Sequence, residues 1–149
     1  VSLKRLSNGR RGRERAMVTS ITPFLMFQDG VADAAMAFYV SLFPNAEVLE
    51  VERYGPDEQG PEGSVKVALF RLGAQRVKCI DSPVRHAFDF TPSFSFFVEC
   101  QSEDEIITLS SILAEGGAVL MPLGNYGFSQ RFSWVNDRFG VSWQLNLAD

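Results

Sequence analysis

The chain is 149 residues long, 46% hydrophobic, 12% aromatic and 21% charged, with a formal net charge of −4. That length and apolar content suit one domain with a sizeable core and exclude wholesale disorder; no uncharged apolar run approaches the roughly 20 residues a membrane helix needs. Two cysteines and one histidine exclude a disulfide framework, a four-cysteine zinc site and any site needing two imidazoles from one chain.

Charge is unevenly placed. Residues 1–16 carry six of the 14 basic side chains and one of the 18 acidic ones, leaving the rest with eight basic against 17 acidic groups. With Asn8, Gly9 and Gly12 and no periodic pattern, residues 1–20 read as a disordered basic leader with Met17 as a natural start, or as appended sequence. No apolar stretch follows the basic residues, as a secretory signal would require. Nucleic-acid binding through this arm would make affinity arm-dependent and salt-sensitive. The acidic remainder offers nucleic acid nothing. The expectation is a cytoplasmic globular domain with neither a nucleic-acid nor a membrane partner.

Residues 21–27 (ITPFLMF) read as a strand, with Pro23 tolerable near its start. Gln28, Asp29 and Gly30 break it, and Val31, Ala34, Ala35, Phe38 and Leu42 then repeat at helical spacing, with Asp29 the candidate cap and Pro44 the stop. A strand over 46–54, a polar Gly/Pro loop over 55–63 and a hairpin over 64–72 and 75–80 complete a β-α-β-β-β order. Residues 81–92 connect. The same order then recurs: a strand over 93–99, a capping box at Ser102 and Glu105, a helix with Ile106, Leu109 and Leu113 in one stripe, a stop at Gly116 and Gly117, and strands over 118–121, 130–136 and 141–147. A module of this kind leaves one sheet face bare, so its doubling is informative.

Alternation assigns the faces. Over 141–147, Val141, Trp143, Leu145 and Leu147 suit a helix-covered core, while Ser142, Gln144 and Asn146 suit a wet concavity. Over 93–99, Phe94, Phe96 and Val98 are assigned to the core and Ser93, Ser95 and Phe97 to the concavity. In the first strand Thr22, Phe24 and Met26 join the concavity, with Leu25 and Phe27 in the core. A polar and aromatic concave face is a small-molecule pocket in outline.

The segments ITPFLMFQDGVADAAMAFYVSLFPNAEV (21–48), GPEGSV (60–65) and WVNDRFGVSWQL (134–145) resemble the PhnB-like branch, labelled 3-demethylubiquinone-9 3-methyltransferase-like, of the vicinal oxygen chelate superfamily of glyoxalases, bleomycin-resistance proteins and dioxygenases. The likeness spans 21–147, with modules over about 21–84 and 93–147. It implies an α+β fold in which two βαβββ modules form a curved mixed sheet with helices outside, and a homodimer whose subunits complete each other's cavities. In metal-dependent relatives four strand positions hold the ion; carried over by motif, they fall at Thr22, at Cys79 or Asp81, at Ser93 and at Gln144. Hydroxyls and a neutral amide are poor ligands for a divalent ion, so no metal and no other cofactor is expected.

The ligand-binding set is therefore Thr22, Phe24, Ser93, Phe97 and Gln144, and no catalytic residue is assigned. Neither strand-to-helix turn carries the glycine-rich pattern of a doubly wound cofactor fold. Asp81, ending a hairpin strand, is expected at the surface. Cys79 and Cys100 lack a histidine partner and suit core positions. The turn at Asp137-Arg138-Phe139-Gly140 needs only a structural explanation. Two functions remain: a metal-free binder of an unknown small molecule, or an enzyme of the same superfamily acting on a small metabolite.

Overall fold

A computed structural model describes residues 19–149; the expectations attached to the basic segment 1–16 lie outside the described residues. The elements are β1 (Phe24–Phe27), α1 (Ala32–Leu42), β2 (Ala46–Arg53), β3 (Val65–Leu72), β4 (Gln75–Asp81), β5 (Phe96–Glu99), α2 (Glu103–Ala114), β6 (Ala118–Gly124), β7 (Arg131–Asn136) and β8 (Ser142–Leu147). Each βαβββ module forms a four-stranded mixed sheet, in the order β1-β4-β3-β2 and, identically, β5-β8-β7-β6. The β1–β4 and β5–β8 pairs are parallel and the rest antiparallel. The doubled order read from the sequence is the architecture, and the hydrogen bonds divide it into one sheet per module.

Each helix covers one face of its own sheet, and the covered faces share a single core. Leu25 and Phe27 of β1, Ala35, Met36 and Tyr39 of α1, and Val77 and Cys79 of β4 join Ile106 and Leu113 of α2 and Val135, Trp143 and Leu145 of the second sheet. Aromatic rings tie the modules together. Tyr39 lies 5.3 Å from Trp143 between ring centroids, and Phe43, just past α1, stacks on Trp143 at 5.8 Å. Burying such rings contributes on the order of 2–3 kcal/mol each.

Asp29 does not cap α1. It is exposed and pairs with Arg85 of the connector. The cap arrives from far along the chain: Asp81, only 4% exposed, accepts from the Ala32 N–H through Oδ1 and from the Val65 N–H through Oδ2, both at 2.9 Å. Its expected surface position was therefore incorrect, because those two buried amides require an acceptor. At α2, Ser102 Oγ accepts from the Glu105 N–H at 3.1 Å, while the Glu105 carboxylate reaches back one residue further, to the Gln101 N–H at 2.9 Å. After α2, Gly117 is indispensable. A Cβ there would stand 2.0 Å from the Asn136 carbonyl oxygen.

β5 begins later than the alternation implied. Residues 92–94 form a turn in which the Phe94 N–H reaches the Thr91 carbonyl at 3.3 Å. Phe94 is consequently 55% exposed rather than in the core, touching Phe96 edge-on. Phe96 and Val98 do pack against the core, as assigned.

Candidate functional site

The face of the second sheet turned away from α2 carries the clearest polar and aromatic arrangement. Parallel pairing sets Phe97 beside Gln144 and Glu99 beside Asn146, and antiparallel pairing sets Trp134 beside Gln144, Phe132 beside Asn146 and Asn136 beside Ser142. Cross-strand partners share a face, so these residues form one surface. Gln144 is half-buried at its centre, and its Nε2 donates to Ser95 Oγ at 2.7 Å. That bond fixes the amide's orientation and leaves Oε1 as an acceptor on the open side. Trp134 Nε1 donates to Ser142 Oγ at 2.8 Å, and Asn146 Nδ2 donates to Glu99 Oε2 at 3.1 Å.

The five residues assigned from sequence divide. Phe97 and Gln144 are direct neighbours on this surface. Ser93 is not on it: it lies in the turn before β5, and its hydroxyl is 2.6 Å from that of Thr91. Ser95 meets Gln144 instead, because Pro92 and the turn postpone the strand. Thr22 precedes β1 by two residues and lies in no strand, because β1 begins only at Phe24, and Phe24 itself belongs to the first sheet. Phe24, 53% exposed, lines a cleft of about 210 Å3 with Thr91, Phe94 and Ser142. Trp134, Glu99 and Asn146 were missing from the assigned set, although alternation alone places Asn146 with Gln144.

The fourth-strand position falls away from the open faces. Cys79 pairs with Leu25 and Asp81 with Phe27, both core residues, so both side chains belong to the covered face. Burial and then the Asp81 charge push the Cys79 thiol up to about 12; burial and then Glu105 push Cys100 up to about 11. Neither is a nucleophile near neutral pH. On β4 the open face carries Arg76, Lys78 and Ile80. The donors available at the relatives' metal positions are thus a hydroxyl at Thr22, a serine and the Gln144 amide, with no carboxylate or imidazole among them. Such a set does not fit a divalent ion, and among the described residues no group of three or more His, Cys, Asp or Glu gathers elsewhere to hold one.

The second buried carboxylate, Asp137, is structural. Its Oδ1 accepts from the Phe139 and Val141 N–H groups at 2.8 and 3.0 Å, and its Oδ2 from Tyr39 Oη and Trp143 Nε1 at 2.7 and 2.9 Å. Burial first, and then the Asp137 charge, hold the Tyr39 phenol protonated far above its usual range. The structural explanation of the Asp137–Gly140 turn is sufficient: Gly140, at φ 90°, closes it onto the Asp137 carbonyl.

A cleft of about 490 Å3 borders the surface. It runs between Phe43 and Pro44, the turn at Gly73, and the unpaired edge of β5, where Ser95, Phe97 and Glu99 form one wall. No described helix is long and apolar enough to cross a membrane.

The family model for 3-demethylubiquinone-9 3-methyltransferase matches residues 19–146. A solved PhnB protein of Bacillus cereus, carrying the same methyltransferase description, is 52% identical, covering 87% of this chain and all of that one, with a TM-score of 0.83. The protein PA1353 of Pseudomonas aeruginosa is 27% identical over 88% of this chain and 98% of its own, with a TM-score of 0.75. The fosfomycin resistance protein FosX of Listeria monocytogenes shares the fold at 14% identity, over 89% of this chain and 94% of its own, with a TM-score of 0.59. No curated protein matches. With its doubled βαβββ order and a family match across the described residues, the chain belongs to the PhnB-like 3-demethylubiquinone-9 3-methyltransferase family of the vicinal oxygen chelate superfamily.

Proposed function

We propose that the chain is a metal-independent small-molecule binder whose ligand lies on the open face of the second sheet, oriented by Gln144. The observation that carries this reading is the Gln144 amide, held by Ser95 at 2.7 Å between Phe97 and Trp134 on a face no helix covers. An amide neither gives nor takes a proton at neutral pH, so its contribution is orientation. Phe24, on the open face of the first sheet, and Thr22, just before that strand, would join the site from a second copy of the chain in a homodimer. Two buried free cysteines suit a reducing, cytoplasmic setting.

Gln144→Leu tests the reading. The variant keeps size and removes both polar groups, so affinity for a hit from a fragment library of amines, carboxylates and neutral aromatics should fall by about 1–3 kcal/mol. Stability should change by less than about 1 kcal/mol, because only the bond to a half-exposed Ser95 is lost. Thermal melts with and without the fragment separate these quantities. A large stability loss with unchanged affinity removes Gln144 from the site. The second reading is an enzyme, favoured by the methyltransferase description of the family and of the Bacillus cereus relative. Turnover with S-adenosylmethionine and a demethylated quinone, followed as release of the demethylated cofactor, would replace the first reading with it.

A further inference from the structure

Two residues along β8 from Gln144, the same face carries Asn146 between Glu99 and Phe132, and the groups there set the charge of what can bind. Asn146 is 8% exposed. Its Nδ2 donates to Glu99, and its buried Oδ1 accepts no hydrogen bond from any described group. The amide cannot be turned over, since a carbonyl oxygen facing a carboxylate would have no proton between them. Glu99 itself is exposed and has no cationic partner among the described residues of its own chain. Arg131, the basic residue next to Phe132, lies on the opposite face of β7 and approaches Glu103 of α2 at 3.6 Å.

Around these two acceptors stand four aromatic rings. Phe132, opposite Asn146, is 4% exposed. Phe128 and Tyr126, from the loop between β6 and β7, meet it edge-on at 5.0 and 6.1 Å, and Phe97 lies tilted at 6.4 Å. Phe97 and Phe128 are 53% and 61% exposed, so ring surface remains for a ligand. Acceptors without donors, a carboxylate without a cation, and aromatic faces together select one chemistry: a positively charged nitrogen that still carries N–H groups.

We propose that the site takes an organic ammonium ion, primary or secondary, whose N–H groups donate to Asn146 Oδ1 and Glu99 while its carbon skeleton lies on Phe97 and Phe128. This rests on the small-molecule reading above and names the ligand class. The eight basic against 17 acidic groups outside residues 1–16 favour the approach of such a cation.

The test is a ligand-detected NMR titration of the full chain with benzylammonium, benzyltrimethylammonium and benzoate, repeated with Glu99→Gln and Asn146→Leu. Benzylammonium should bind, benzoate should not, and the quaternary ion, having no N–H to donate, should bind several-fold more weakly. Glu99→Gln, an exposed change that keeps the fold, should weaken benzylammonium by about tenfold. Asn146→Leu should narrow the preference for the primary over the quaternary ion, leaving the part that Glu99 supplies. Equal binding of benzoate, or an unchanged affinity in Glu99→Gln, overturns the proposal. So does a change in sedimentation of Glu99→Gln, which would make Glu99 an interface residue. If a neutral or anionic fragment binds in a Gln144-dependent way while benzylammonium does not, the ammonium proposal fails and the binding-protein reading stands. If no fragment depends on Gln144, that reading fails too.

Discussion

Asp137 ties separate parts of the fold together through one buried side chain. Its four accepted hydrogen bonds join α1, the β7–β8 turn and the Trp143 indole, and the carboxylate is 2% exposed. Asp137→Asn would set an amide N–H2 against one pair of donors, losing two bonds and leaving those donors buried. The expected cost is about 3 kcal/mol, measured as denaturant stability. Tyr39→Phe removes a single donor and should cost less, about 1–2 kcal/mol. The pair should be non-additive in a double-mutant cycle. An Asp137→Asn variant within about 1 kcal/mol of wild type would contradict the role given to the carboxylate. The cysteines make a separate prediction. Well below pH 9, the ordinary thiol value, both thiols are protonated in folded and unfolded chains and contribute no pH dependence. Above it the unfolded chain releases protons that folded Cys79 and Cys100 keep until about pH 12 and 11, so stability should fall as pH rises from about 9 toward 11. Tyr39, also held protonated, steepens the fall above pH 10. Replacing both cysteines by alanine should lower the baseline and flatten this slope; a slope unchanged by the double replacement would assign the alkaline loss elsewhere.

At the scale of elements, the start of α1 is the most consequential junction. Asp81 ends β4 and satisfies the first turn of α1 and the first amide of β3 together. Asp81→Ala should cost about 2–4 kcal/mol, a lost helix cap plus an orphaned buried N–H, and should speed hydrogen exchange at Ala32 and Val65. Asp29→Ala, breaking an exposed ion pair, should stay within about 0.5 kcal/mol. Equal losses in the two variants would contradict this assignment of the cap. The contrast shows where sequence ran out. Local periodicity was enough for the order of elements and for the faces of β8, where Trp143 and Leu145 are fully buried and Gln144 and Ser142 lie opposite. It could not find a cap 49 residues away from the helix it serves, since no local spacing links Asp81 to Ala32. Nor could it date the start of β5. Ser93, Ser95 and Phe97 alternate correctly, yet the Thr91 hydroxyl and carbonyl draw Ser93 and Phe94 into a turn, and the bond to Gln144 passes to Ser95. The aromatic cluster over Phe132 was hidden for a similar reason, because Tyr126 and Phe128 come from a loop without periodicity.

At the scale of the whole molecule, burial is lopsided. One face of each sheet is sealed by its helix and the shared core, while the other bears exposed rings: Phe24 on the first sheet, Phe97 on the second and Phe128 on the loop beside it are all more than half exposed. Exposed clusters of this kind mark interaction sites more often than chance, and the outer strands β1, β2, β5 and β6 each pair on one side only. A homodimer that lays the first sheet of one copy against the second sheet of the other would cover both open faces. It would also bring Thr22 and Phe24 to Gln144, which sits on the other sheet of its own chain. The full chain should therefore sediment as a dimer at micromolar concentration. Phe24→Asp, placing a charge on the open face and leaving the core untouched, should shift it to monomer with a melting temperature little changed except through the lost dimer linkage. Fragment binding should fall in the same variant even though Phe24 lies on a different sheet from Gln144. A stable monomer in the wild type would refute the dimer. A Phe24→Asp dimer with undiminished fragment binding would place Phe24 outside the shared site, and the ligand would then be held by the second sheet alone.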